Sequence, residues 1–210
     1  ATMVLSDNGA DVIKIERPGG DPYRTTPAWI MWNRGKKSVL LDVHTKSGQE
    51  RIQKLAVNSD VIIENYKPGI VDTLGIGYQD LSNLNPGLIY CSMTCFGSKG
   101  PYSKFKPYNA IAEAKSGSFL PRGRVGSRPV YRVRPRGDYG SAMMIVQGIA
   151  GALRVRDLTG KGQYLESTAF AAVVFTDSSG ATARQVELGI MADGAAGRGR
   201  TVGSVNLSYL

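Results

Sequence analysis

The sequence predicts an α/β fold, a Rossmann-like parallel sheet with crossover helices, and three observations predict it. Four short runs rich in Val, Ile and Leu are spaced along the first ninety residues (DVIKIE at 11–16, SVLLD at 38–42, DVIIE at 60–64, GLIYCS at 87–92). Segments with helical spacing of apolar residues separate the later runs. Glycine, asparagine and proline punctuate the joints, and strands alternating with helices are the pattern of parallel sheets.

The elements follow in order. Residues 1–9 read as the end of an amphipathic helix, with Met3, Val4 and Leu5 apolar and Gly9 in the position after the last turn, where a left-handed residue stops a helix. The first two strand runs follow. SGQE at 47–50 has the form of a capping box, and Ile52, Leu55 and Ala56 continue it with helical spacing. After the third run, Ile70, Val71 and Leu74, then Leu81 and Leu84, mark two short helices parted by Gly75 and Gly77.

Beyond Cys91 the pattern loosens into a Gly/Pro/Lys loop at 96–107, followed by a helix at 109–115 and an arginine-rich loop from Arg122 to Arg136. Met143, Met144, Val146, Ile149 and Leu153 give a helix over 139–155 a broad apolar face, with Gly148, Ala150 and Gly151 permitting close packing. A turn at 159–163, a strand at 164–167 and a helix at 168–186 complete the series. The expected organisation is one large domain over 1–186 and the start of a linker toward a second domain over 187–210. Both ends read as cut: Ala1 opens inside a helix and Leu210 closes an apolar run.

Composition narrows the chemistry. The chain has 210 residues, 42% of them hydrophobic, and a formal charge of +9 with pI near 9.6, which favours an anionic partner. The arginines of 122–136 alternate with Gly, Pro and Val rather than with stacking aromatics, so nucleic acid is not expected, and a solvated basic loop is an equal reading of that stretch. No run approaches 18 apolar residues, so no membrane span is expected. No G-x-G-x-x-G follows a strand and no Walker A sequence occurs. His44 is the single histidine, placed beside Thr45 and Lys46 where a solvated loop residue is the plain reading. Chemistry must then rest on carboxylates, hydroxyls, lysines or arginines, and no metal site is expected. Cys91 and Cys95 lack a second pair, fit neither a disulfide framework nor a zinc site, and read as buried thiols of a reducing cytoplasm.

Seven stretches in a fixed order carry a resemblance: GADVIKIERPGGD at 9–21, NRGKKSVLLD at 33–42, DVIIENYKPG at 60–69, LNPGLIYCS at 84–92, FGSKGP at 96–101, GDY at 137–139 and TGKGQ at 159–163. Together they resemble family III of the CoA-transferases, which holds formyl-CoA transferase, carnitine CoA-transferase and the 2-methylacyl-CoA racemases. The resemblance implies the large domain of that fold, coenzyme A as a cosubstrate with no permanently bound cofactor, and acyl-CoA and carboxylic acid as substrates. It also implies a cytoplasmic homodimer of interlocked, ring-shaped chains, each roughly twice as long as this one.

By that resemblance Asp138 is the carboxylate that attacks the acyl-CoA thioester. On the residues alone, an aspartate opening a helix is an ordinary N-cap, and Gly137 and Gly140 beside it suit close approach of a substrate. The resemblance further implies Arg17, Lys36, Asn65, Tyr66 and Lys106 as contacts to coenzyme A, whose phosphates call for arginine, lysine and N–H donors. Tyr108, Gly137, Tyr139 and Gly140 would line the substrate pocket.

Three positions depart from the family pattern. Thr73 stands where many members carry an arginine, Tyr108 where the racemases place a catalytic histidine, and Asn109 where an acidic residue is common. Tyr108 speaks against α-proton abstraction. A racemase-like isomerase and a non-catalytic basic protein binding CoA or nucleic acid are the alternative readings.

Overall fold

A computed structural model describes residues 1–119 and 135–176. The described residues divide into two compact units: Ala1–Thr94 with Ala142–Ser167, and those of Cys95–Ser141 with 168–176.

The first unit holds two parallel ladders. Strand β1 (Val12–Glu16) pairs with β2 (Lys36–Leu40), Val12 facing Lys36 and Glu16 facing Leu40. Strands β3 (Val61–Glu64), β4 (Ile89–Thr94) and β5 (Tyr164–Thr168) form the other sheet in the order β3-β4-β5, with Val61 facing Ile89. Helix α1 (Thr2–Asp7) precedes β1 and gives way to Gly9 at φ 93°, as the sequence leads one to expect. Helix α2 (Pro27–Asn33) joins β1 to β2 and was not expected, because Ile30, Met31 and Trp32 remain exposed and leave no core-facing stripe.

Helix α3 (Lys46–Val57) starts one position before the residue favoured as its cap. Thr45, not Ser47, is the N-cap, its hydroxyl accepting from the Gly48 N–H at 3.1 Å. Gly48 is obligatory for a second reason: a Cβ there would lie 1.8 Å from the Asp42 carbonyl oxygen. Helices α4 (Ile70–Thr73) and α5 (Tyr78–Leu84) complete the connection from β3 to β4.

Strand β4 is the spine of this unit. Leu88 and Tyr90 pack with Ile52, Ala56, Val71 and Leu81 on one face, and Ile89 and Cys91 pack with Ile145, Ile149 and Ala152 of α7 (Arg136–Thr159) on the other. Burial on both faces explains its unbroken apolar run. Asn85 ties the turn before β4 to the end of α3 through Nδ2, which donates to the Ala56 and Ser59 carbonyls at 3.0 Å each.

In the second unit, α6 (Asn109–Lys115) lies against α8 (Ala169–Thr176), with Cys95, Ala112 and Ala169 buried between them. Helix α7 spans 24 residues, longer at both ends than the expected 139–155, and its first six residues belong to this unit. The helix expected over 168–186 begins at Ala169; its part beyond Thr176, the loop 122–134 and the expected linker at 187–210 lie outside the described residues. The loop at 96–107 is fixed by four rings: Phe96 lies 5.9 Å from Tyr102, Phe105 and Phe170, and the Lys115 ammonium stands 5.0 Å over Phe105. No helix among the described residues is long and apolar enough to cross a membrane.

Candidate active site

The second unit gathers Asp138, Gly137, Tyr139 and Gly140 on the first turn of α7, with Asn109 and Glu113 of α6 beside it. Tyr139 N–H donates to the Pro135 carbonyl at 3.1 Å, so the helix has its first internal bond there and Pro135 stands at the cap position. Asp138 is therefore not the N-cap, as its sequence position suggested, but the third residue of the first turn.

The amides of that turn are satisfied from α6. Arg136 N–H donates to Glu113 Oε1 at 2.9 Å, and Asp138 N–H donates to Asn109 Oδ1 at 3.2 Å. Asn109 Nδ2 donates in turn to Glu113 Oε1 at 2.9 Å. Glu113 has no exposed surface, and its Oε2 makes no hydrogen bond. Two residues of a neighbouring helix thus supply the acceptors that an N-cap side chain ordinarily supplies and that Pro135 lacks.

Asp138 is left with a carboxylate that makes no hydrogen bond or ion pair among the described residues, on a residue that reaches solvent. Partial burial of the carboxyl, then the neighbouring Glu113, raise its pKa above the ordinary aspartate value. A raised pKa makes a more basic and more nucleophilic carboxylate once ionised. Cys95 also feels this carboxylate: burial first, then Asp138, push its thiol up to about 11. Its Sγ donates to the Tyr108 carbonyl at 3.5 Å, anchoring the residue that caps α6.

The flanking glycines serve helix packing. A Cβ on Gly137 would meet Asn109 Oδ1 at 2.4 Å and the Ala169 carbonyl oxygen at 3.0 Å, and one on Gly140 would meet the Ala172 Cβ at 3.0 Å. Their missing side chains let α7 approach α6 and α8, the approach that puts Asn109 within reach of Asp138. Tyr108 and Tyr139 are exposed, as is Lys106 two residues before Tyr108.

The remaining expected contacts belong to the first unit. Arg17 and Lys36 sit at opposite ends of the β1·β2 ladder: Lys36 faces Val12 at the first rung, and Arg17 follows the last. Four to five residues of strand separate them, about 15 Å. The exposed Arg17 lies in a loop fastened by a polar cluster the sequence did not reveal. Glu16, buried, accepts from Arg24 Nη2 at 2.8 Å and from Asp21 N–H at 2.9 Å, and Asp21 pairs with Lys14 and accepts from Trp29 Nε1 at 3.2 Å. Lys36 is partly buried, and burial, then Lys14, lower its pKa against the pull of Asp21. Asn65 and Tyr66 are exposed just past β3, where Tyr66 N–H donates to Glu64 Oε2 at 2.7 Å.

Thr73 ends α4 with its hydroxyl on the Ile70 carbonyl at 2.7 Å. His44 is an exposed turn residue after β2, its N–H on Asp42 Oδ1. Among the described residues, no three His, Cys, Asp or Glu side chains converge as metal ligands.

Comparison with known proteins gives a consistent picture. A family model described as CoA-transferase family III matches residues 1–204. Succinyl-CoA:glutarate CoA-transferase of Homo sapiens is 36% identical over 176 residues, covering 79% of this chain and 40% of that protein. Formyl-CoA:oxalate CoA-transferase of Streptomyces avermitilis is 37% identical over 172 residues, covering 78% and 42%. Among solved structures, a CAIB/BAIF family protein from Brucella suis superposes with a TM-score of 0.80 at 34% identity over 89% of this chain and 53% of that one. Rv3272 from M. tuberculosis gives 0.80 at 30% identity over 90% and 52%. The chain spans about two fifths of the length of the curated relatives it matches.

Proposed function

This chain belongs to CoA-transferase family III, and from that premise we propose that the protein it represents moves coenzyme A from an acyl-CoA to a carboxylic acid, with Asp138 as the nucleophile. The observation that carries the reading is the Asp138 carboxylate: it lies in the first turn of a 24-residue helix whose capping is done by α6, and among the described residues nothing pairs with it.

In the reaction, an Asp138 oxygen attacks the thioester carbonyl; the C–S bond breaks, leaving CoA thiolate and an acyl-aspartyl anhydride. The thiolate attacks the aspartyl carbonyl, the donor acid departs as a carboxylate, and an aspartyl-CoA thioester remains. The acceptor carboxylate attacks that thioester to form a second anhydride and release CoA thiolate. Attack of the thiolate on the acceptor's carbonyl frees Asp138 and the new acyl-CoA. Covalent catalysis suits the exchange because every step starts from an activated acyl group. The raised pKa of Asp138 favours its attack.

Arg17, Lys36, Asn65, Tyr66 and Lys106 are proposed to hold coenzyme A, the cations meeting its phosphates. Tyr108, Gly137, Tyr139 and Gly140 would border the acyl pocket. The large catalytic domain would run over 1–186 and lead into a linker at 187–210, the whole protein acting as a cytoplasmic homodimer. The names of the relatives pair acyl-CoA donors with glutarate and oxalate, so dicarboxylates are the acceptors to assay first.

The test is to incubate the full-length protein that contains this chain with a panel of acyl-CoAs, trap with hydroxylamine and map the product by mass spectrometry. A hydroxamate on Asp138, absent from Asp138→Ala, supports the mechanism and names the donor. No adduct with any donor would overturn it.

A further inference from the structure

We propose that Glu113 is a positioning residue for Asp138: with Asn109 as its arm, it caps the first turn of α7 and so keeps the Asp138 carboxylate free to react. The inference rests on Asp138 being the nucleophile.

Three observations on separate atoms lead to it. Glu113 Oε1 receives two donors, the Arg136 amide at 2.9 Å and Asn109 Nδ2 at 2.9 Å. Asn109, so oriented, offers Oδ1 to the Asp138 amide at 3.2 Å, close enough to Gly137 that only glycine fits between. Finally, Glu113 is wholly buried with Oε2 unbonded. A buried carboxylate with an unsatisfied oxygen costs stability, and a glutamine would offer the same acceptor to both donors without burying a charge. The arrangement has the cost of a charge and a geometric use for it: the negative group lies at the positive end of α7 and accepts from the amide of its first residue.

Among the described residues, the titratable groups near Asp138 on the elements packed around it include Glu113 and Lys115 on α6, Cys95 after β4, and Arg136 and Tyr139 on α7 itself. Helix α8 meets this turn through Ala169 and Ala172. Of these, Glu113 is the carboxylate that acts on Asp138, raising its pKa after burial. Removing the Glu113 charge while keeping its oxygen therefore moves Asp138 toward an ordinary aspartate, and activity that needs ionised Asp138 persists to lower pH.

The experiment compares Glu113→Gln and Glu113→Ala in the full chain, following kcat and KM against pH with the donor that labels Asp138. Expected for Glu113→Ala is a fall in kcat of roughly 10- to 100-fold, the scale of a slightly misplaced group, with KM within about threefold. Glu113→Gln should recover most of kcat and carry the acidic limb of kcat/KM to lower pH. Wild-type kcat in a folded Glu113→Ala, no recovery in Glu113→Gln, or an unmoved acidic limb would each overturn the proposal. If Glu113→Ala fails to fold, the limb of Glu113→Gln decides alone. Absence of a hydroxamate on Asp138 in the wild type is a different failure, that of the nucleophile assignment.

Discussion

The backbone N–H of Asp138 donates to Oδ1 of Asn109 at 3.2 Å across the α6–α7 contact, so a residue 29 positions earlier supplies the acceptor that Pro135, at the cap position, lacks. That displacement of the capping function separates Asp138 from a structural role, and the consequences are measurable.

Asp138→Asn should abolish the trapped adduct and lower kcat at least 1,000-fold, roughly what loss of a nucleophile costs. It should not lower the free energy of unfolding at neutral pH, because the side chain has no structural partner among the described residues and its raised pKa makes the ionised form the costlier one in the folded state. Denaturant titration beside the trapping assay checks both. A large loss of stability would return Asp138 to the role of a cap.

Gly137→Ala should destabilise by about 1–3 kcal/mol, because the added methyl enters the space of Asn109 Oδ1 at 2.4 Å and the helix must shift. Gly151→Ala, in the interior of the same helix with nothing within 4 Å, should stabilise by about 0.5–1 kcal/mol. Opposite shifts in the urea midpoint of two identical substitutions on one helix are the expected result.

Stability should fall in acid through Glu16 and Asp21. Burial works to raise both, but bonds from Arg24 and the Asp21 amide to Glu16, and from Lys14 and the Tyr23 amide to Asp21, leave both pKa values below normal. A carboxylate depressed in the folded state contributes stability above its unfolded pKa and loses it as pH falls through the folded one. The loss should therefore begin below about pH 4. Glu16→Gln should lower stability by about 2 kcal/mol at neutral pH and flatten the acid side of the profile, read by urea midpoints at several pH values.

Cys91 and Cys95 should resist thiol reagents at pH 8. Burial pushes their pKa values up to about 12 and about 11, so little thiolate exists and neither sulfur is open to attack. A colorimetric thiol titration should show neither reacting in the native protein and both in denaturant.

Arg17→Ala should raise KM for the acyl-CoA about tenfold, the equivalent of one charge-assisted contact, with kcat within about threefold. Arg24→Ala, by releasing the Glu16 anchor of the same loop, should move KM in the same direction. Steady-state kinetics at fixed ionic strength is the measure.

Much of the fold was legible in the residues alone, because local chemistry governs it. Apolar runs mark β1 through β4, Gly9 ends α1, and the limits of α6 coincide with the expected 109–115, since these depend on side-chain period and on where a left-handed residue is tolerated. Asp138 stood out only through the resemblance that the ordered family stretches carry, and its role is a proposal. Helix α2 stayed hidden because its apolar residues face outward, and the Gly/Pro/Lys loop looked loose because its three rings meet Phe170 of α8 only after folding. Thr45 displaced Ser47 as a cap because capping depends on the entering backbone angle, which residue type does not state. Asn109 read as a departure from a pattern and Glu113 as one more polar helix residue. Only tertiary structure could pair them with Arg136 and Asp138, since a hydrogen bond between residues more than twenty positions apart depends on how helices dock, and no local spacing encodes that.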